Sequence, residues 1–250
     1  MAVGPTGSQT SSSYNASAGY RDGIYDPVVK IVYYIQDRNT QVAATILAGT
    51  TVTVTTTTGY VVDDFIAVVQ DQSTNQVSAV GQVVSVTATT ITVDSWTTNG
   101  TTPTIDGASD YAYELSDDTL SFGSLSTSVV STAIIAWEAT ADVSQGFGVY
   151  VADDGAPGIS GTATTLADVT DGTVAAGSSE YGGRSSDTTL ATSTFDSQDT
   201  AFTTTPQLVA SRADNSFSTR DFLTVKAAID SSQTSGSYTG TLSLVLAGDY

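Results

Sequence analysis

The side chains of this chain that could do chemistry are mostly aspartates. Of its 26 acidic residues only Glu114, Glu138 and Glu180 are glutamates. The aspartates gather in short clusters: Asp63-Asp64, Asp117-Asp118, Asp153-Asp154-Gly155, Asp168 with Asp171-Gly172, and Asp196 with Asp199. A hard cation such as calcium takes about six to eight oxygens, which paired carboxylates and neighbouring carbonyls can supply. Asp153, Asp154, Asp168 and Asp171 are therefore the candidate metal ligands, and Ca2+ is the one cofactor they would hold. No cluster has the spaced Asp-x-Asp-x-Asp-Gly pattern of a dedicated loop. The competing reading of each is an Asx turn, in which the short carboxylate binds backbone N–H groups two residues on.

Two further groups stand out by position. Glu138 interrupts the apolar run Ile134-Ile135-Ala136-Trp137, and carboxylates can act as acid and base in glycoside hydrolysis. Strict alternation puts Ile135, Trp137 and Ala139 on one face and Ile134, Ala136 and Glu138 on the other. With Trp137 facing the core, Glu138 reads as solvated. Lys30 and Lys226 each lie in apolar strands, where a lysine could form an amide cross-link to Asn or Asp; the plainer reading is a lysine that snorkels or guards a strand edge.

Composition narrows the rest. There is no His and no Cys, which excludes Ser-His-Asp and Cys-His triads, His/Cys zinc sites and disulfide frameworks. Seven basic residues against 26 acidic ones give a net charge of −19. Nothing there could neutralise several phosphates at once, so no nucleic-acid partner is expected. No apolar run approaches the ~18 residues of a membrane span. The first twenty residues lack the basic start and apolar centre of a signal peptide, so the expectation is a processed end or another exit route, such as release within a virus particle. The reading is of a protein that is not an enzyme.

The elements that position these residues read as all-β. Thr and Ser make up about three residues in ten, β-branched residues favour strands, and no stretch repeats apolar residues at helical spacing over three turns. Residues 1–26 form an extended Gly/Ser/Thr/Tyr tail. Residues 27–117 hold short strands at short intervals, a meander or small β-barrel. It opens on Val28–Ile35, which is apolar on both faces apart from Lys30 and so needs two covers. Residues 118–250 read as an antiparallel β-sandwich whose last strand alternates Leu242, Leu244 and Leu246 with Ser243, Val245 and Ala247. The expected cores are Val29, Ile31, Tyr33, Phe65, Ile66, Val84, Ile91 and Val93 in the first region. In the second they are Phe122, Ile135, Trp137, Phe147, Val149, Phe222, Leu242, Leu244 and Leu246.

The segments LSFGSLSTSVVSTA (120–133), GFGVYVADDG (146–155), SSEYGGR (178–184) and TVKAAIDSSQTSGSYTGTLSLVLAGDY (224–250) resemble a bacterial secreted β-sandwich type found in surface proteins. In outline they are similar to spore-coat protein U-like domains, which belong with fibre subunits of the chaperone-usher type. The resemblance covers the C-terminal half. It implies a structural role at a cell exterior, without catalysis.

Three functions follow as expectations. The first is a structural subunit of an extracellular assembly (filament, sheath or surface layer) whose partners are other copies of itself. Tyr14, Tyr20, Tyr25, Val28, Val32 and Tyr34 would make the contact, because a tail beside a two-faced strand can complete a neighbour's sheet. The second is a bacteriophage virion protein, a capsid decoration or tail component. The third is a carbohydrate-binding module, which would need a rigid aromatic row; Trp96 and Trp137 are the only tryptophans.

Overall fold

The computed structural model describes residues 6–8, 12–14, 23–25 and 28–248. In chain order the strands are β1 (Thr6–Ser8), β2 (Ser12–Tyr14), β3 (Gly23–Tyr25), β4 (Val28–Ile35), β5 (Val42–Ala48), β6 (Thr51–Val54), β7 (Phe65–Gln70), β8 (Val77–Val86), β9 (Thr90–Val93) and β10 (Thr97–Thr98). They continue with β11 (Tyr111–Glu114), β12 (Ser131–Ala141), β13 (Phe147–Asp153), β14 (Gly158–Ile159), β15 (Glu180–Ser185), β16 (Gln207–Arg212), β17 (Ser216–Ala228), β18 (Tyr238–Thr239) and β19 (Leu242–Gly248). The only helical turn among the described residues is a 3-10 turn at Arg38–Thr40, capped by the Asp37 carboxylate. The fold is all-β, as the composition requires.

The first lobe is a closed barrel. β8 pairs with β7, β7 with β11, β11 with β5, β5 with β6, β6 with β9, and β9 returns to β8. β8 serves both β7 and β9 because its register shifts between Val83 and Ser85; such a bulge bends a strand sharply enough to turn a sheet on itself. Gly81 sits where the bent strand crosses the segment after β9: a Cβ there would lie 2.8 Å from the Ser95 carbonyl oxygen. The barrel interior is filled by Val52, Ile66, Val68, Val83, Ile91 and Val93. Val84, expected in this core, is half exposed, because the bulge breaks the alternation at that residue.

The second lobe is a sandwich of a five-stranded sheet, order β1-β4-β12-β17-β15, and a three-stranded sheet, order β16-β13-β19. Its core holds Ile135, Trp137, Phe147, Val149, Phe202, Leu223 and Val225. Val28–Ile35 belongs here: β4 pairs with β12 from Ile35↔Ile135 to Val29↔Ala141. The assignment of this strand to the first region is thereby corrected. Local sequence gives a strand's apolar pattern, whereas its hydrogen-bonding partner lies about a hundred residues on.

The five-stranded sheet is a middle layer. Its second face packs on the outside of the barrel, where Phe65, Ala67, Val69, Val80 and Tyr113 meet Ile134, Ala136 and Phe222. This explains the strands without alternation. In β7, Ile66 and Val68 point into the barrel while Phe65, Ala67 and Val69 face the sandwich. In β12, Ile135 and Trp137 face one core and Ile134 and Ala136 the other. The Glu138 face, read as solvated, is a buried interface for most of its length.

Candidate functional site

Three charge clusters, one buried and two partly exposed, hold the layers together. Lys226, on β17, places Nζ 2.9 Å from Asp199 Oδ1, and donates across to the Thr74 carbonyl oxygen of the barrel at 2.8 Å. Asp199 also accepts the Val174 N–H, so the pair ties an irregular segment to β17 and, through Lys226, to the barrel. Arg220 binds both oxygens of Asp94 at 3.0 Å and one oxygen of Glu138 at 3.3 Å. Its guanidinium lies 4.9 Å from the centre of the Phe65 ring. Burial works against the Asp94 carboxylate, but bonds from Arg220, Gln82 and Ser95 outweigh it and hold its pKa below the ordinary value. Arg212 bridges Asp187 at 3.1 Å and Asp221 at 2.6 Å. Burial pushes Asp221 up, whereas Asp187, buried as well, is held low by Thr189, Ser211 and Arg212.

These clusters include two of the side chains that the sequence singled out. Glu138 is an ion-pair partner of Arg220 and, with Asp94 and Ser218, lines a small polar pocket at the seam of the lobes. Lys226 sits in a two-oxygen ion pair with Asp199, and Lys30 is exposed. Sequence reading missed Arg220, Arg212, Asp187 and Asp221 as a group. The available signal was Arg220-Asp221 placed directly before the apolar run Phe222-Leu223, a charge pair that a buried strand carries only when partners await it.

The four candidate calcium ligands separate into turn and ladder roles. Asp153 closes β13; burial, with the charges of Asp168 and Asp154, pushes its carboxyl up. Asp154 Oδ1 accepts the Thr241 N–H, Asp168 forms a parallel bridge to Tyr181, and Asp171 Oδ1 accepts the Thr173 N–H. Among the described residues no three His, Cys, Asp or Glu side chains converge on one point. One oxygen of Asp154 and one of Asp171 serve as Asx-type acceptors for facing or nearby backbone.

The six candidate assembly residues also divide. Tyr14 and Tyr25 lie on β2 and β3, which pair with each other, and Tyr20 lies outside the described residues. Val28 is half exposed and Val32 half buried. Tyr34 is used inside the chain, its ring stacked 3.9 Å from that of Phe65 at 21°. At Tyr34 the second cover of Val28–Ile35 is the chain's own barrel.

What remains open is the other face of that strand. One side of the sandwich is sealed: Ser185 Oγ donates to the Val209 carbonyl, and Asp187 accepts the Ser211 N–H, joining β15 to β16. On the opposite side β4 and β19 leave between them a groove of about 1470 Å3. Its walls include Ile31, Tyr33, Phe122, Leu244, Leu246 and Tyr181, with Asp118 the one charged side chain among the described residues. Phe122, Tyr33, Leu242, Leu244 and Leu246, expected in the core, are therefore only partly buried; they line a space that the described residues leave open. Trp137 is fully enclosed, whereas Trp96 is partly buried against the barrel and donates its indole N–H to the Gly49 carbonyl. No family model matches this sequence, and none of the curated proteins or solved structures does either.

Proposed function

We propose that this protein is a structural subunit of an extracellular assembly built from copies of itself. The observation that carries this reading is the open side of the sandwich, where an apolar groove lies between two strands of different sheets. An exposed apolar concavity beside unpaired backbone favours association with another polypeptide, which brings both side chains and hydrogen bonds. The buried ions support it in a second way, since each lysine or arginine among them is used to bind layer to layer.

Electron microscopy and light scattering of the purified protein over a range of ionic strengths test the reading. Salt screens the repulsion between copies of charge −19, with a Debye length of about 8 Å at physiological ionic strength. Ordered assemblies or defined oligomers are expected as salt rises; particles that stay monomeric throughout would overturn the proposal. A bacteriophage virion component is the second reading. It is favoured by stapling through buried ion pairs in a cysteine-free chain, which suits folding in a reducing cytoplasm before release. Terminase and portal genes beside the coding sequence would support this version, and secretion genes the first.

A further inference from the structure

The edges of the two sandwich sheets differ in how they are protected. β15 carries Glu180 and Arg184 and is bridged by Asp168 to Tyr181 and by Thr200 to Gly183. β16 is bulged against β13 between Val149 and Tyr150, and Ser185 and Asp187 occupy its outer backbone groups. β4 is covered by β1 over Val28–Lys30 and bridged by Asp117 at Ile35. Among the described residues β19 has none of these devices. It runs Leu-Ser-Leu-Val-Leu-Ala-Gly without a charge or a proline. It pairs with β13 in unbroken register from Phe147↔Gly248 to Asp153↔Leu242. Natural sheets blunt such edges unless they are used for pairing.

The backbone directions of β19 follow from its ladder. The Asp154 N–H donates to the Thr241 carbonyl, and that pair continues the β13–β19 register. In an antiparallel ladder, hydrogen-bonded pairs alternate with non-hydrogen-bonded ones. Ser243, Val245 and Ala247 therefore direct their N–H and C=O groups to β13, and Leu242, Leu244, Leu246 and Gly248 direct theirs outward. The sequence of the edge is close to a palindrome about Val245: Leu244 mirrors Leu246, and Ser243 mirrors Ala247. An antiparallel partner centred on Val245 would set leucine beside leucine on the groove side and small residues beside small residues on the other. It would satisfy every outward backbone group from Leu242 to Gly248.

We infer that β19 is a two-fold interface: two copies of this chain pair β19 with β19 antiparallel, centred on Val245, and join their three-stranded sheets into one six-stranded sheet. This rests on the self-assembly reading and names the strand and register through which it begins. The partner is a second copy because the edge is self-complementary and uncharged, which suits chains that repel one another elsewhere. In this register Val245 faces Val245 of the partner copy in a non-hydrogen-bonded pair, where Cα atoms approach to about 4.5 Å, within disulfide range. Ser243 instead faces Ala247 of the other copy, and the two Ser243 positions lie about 13 Å apart along the strands.

The test uses the full chain, which has no native cysteine. Under mild oxidation Val245→Cys is expected to give a disulfide-linked dimer that Ser243→Cys does not give. Val245→Lys, at a half-exposed position the fold tolerates, is expected to raise the apparent dimer dissociation constant at least about tenfold by opposing like charges. Thermal melts of each variant establish that it is folded. Oligomers in which Val245→Cys links no faster than Ser243→Cys would overturn the register and leave the assembly reading intact. A wild-type chain that stays at its 25.6 kDa mass at all concentrations and salts would overturn both.

Discussion

Replacing Lys226 by methionine isolates the most deeply buried ion pair. The two side chains are 7% and 4% exposed, and without the ammonium Asp199 keeps one backbone donor, Val174. Removing one partner of a buried pair strands the other charge and costs about 3–5 kcal/mol. For a chain of this length each kcal/mol moves the melting temperature by roughly 2–4 °C, so a fall of roughly 6–20 °C is expected. Methionine keeps most of the apolar stem, so the loss reports the charge rather than a cavity. Combining Lys226→Met with Asp199→Asn removes the stranded charge while leaving an oxygen for Val174, and should return part of the loss. The coupling between the two sites is then about 2–3 kcal/mol, at the upper end for contacting residues. Urea titrations followed by tryptophan emission measure it, because Trp137 is fully enclosed when folded. Because the pair is shielded from solvent, its contribution should change little between low and high salt. A single variant within about 1 kcal/mol of wild type, or strict additivity in the double variant, would refute the reasoning.

Arg220→Met removes the bonds to Asp94, Ser95 and Glu138 and the seat over Phe65. Asp94 is 38% exposed, so screening limits the cost to about 1–3 kcal/mol, and thermal melts should show a smaller loss at high salt. Gly146→Ala should cost about 3 kcal/mol or more: its φ is +82° and a Cβ would lie 1.8 Å from the Arg212 carbonyl oxygen. Gly107→Ala, with φ +90° and open space around it, should cost only about 1–2 kcal/mol in the same urea titration. Asp187 and Asp94 have folded pKa values below the ordinary 3.8; their contribution is present above that value and is lost as pH falls through the folded pKa. Asp221, raised by burial, acts with the opposite sign, its contribution present below 3.8 and lost as pH rises. Asp187→Asn should therefore flatten the acid limb of the stability curve, and an unchanged limb would refute that assignment.

Composition by itself determined the class of fold. A chain rich in Thr, Ser and Val with almost all its acid as Asp has few helix-favouring residues, and strands with turns between them are what remains. The strand segments themselves were also legible, because periodicity is a local property: Val28–Ile35, Phe65–Gln70 and the alternation of Leu242, Leu244 and Leu246 appear where the pattern puts them. The need of Val28–Ile35 for two covers was legible too, though not which elements provide them. Pairing is decided between residues far apart in the chain, so only the tertiary structure moves β4 from the barrel to the sandwich and makes the five-stranded sheet a middle layer. The same limit hid the charge clusters. Arg220, Asp94 and Glu138 are scattered in sequence, and they converge because β12, β17 and the end of β9 meet at the interface between the lobes. The Asp-rich turns were legible as clusters, but only the tertiary structure shows that Asp154 reaches the Thr241 N–H across a strand pair while Asp171 binds its own turn at Thr173. Whether β19 is an edge was likewise invisible in its seven residues, since an edge strand is defined by the neighbour it does not have.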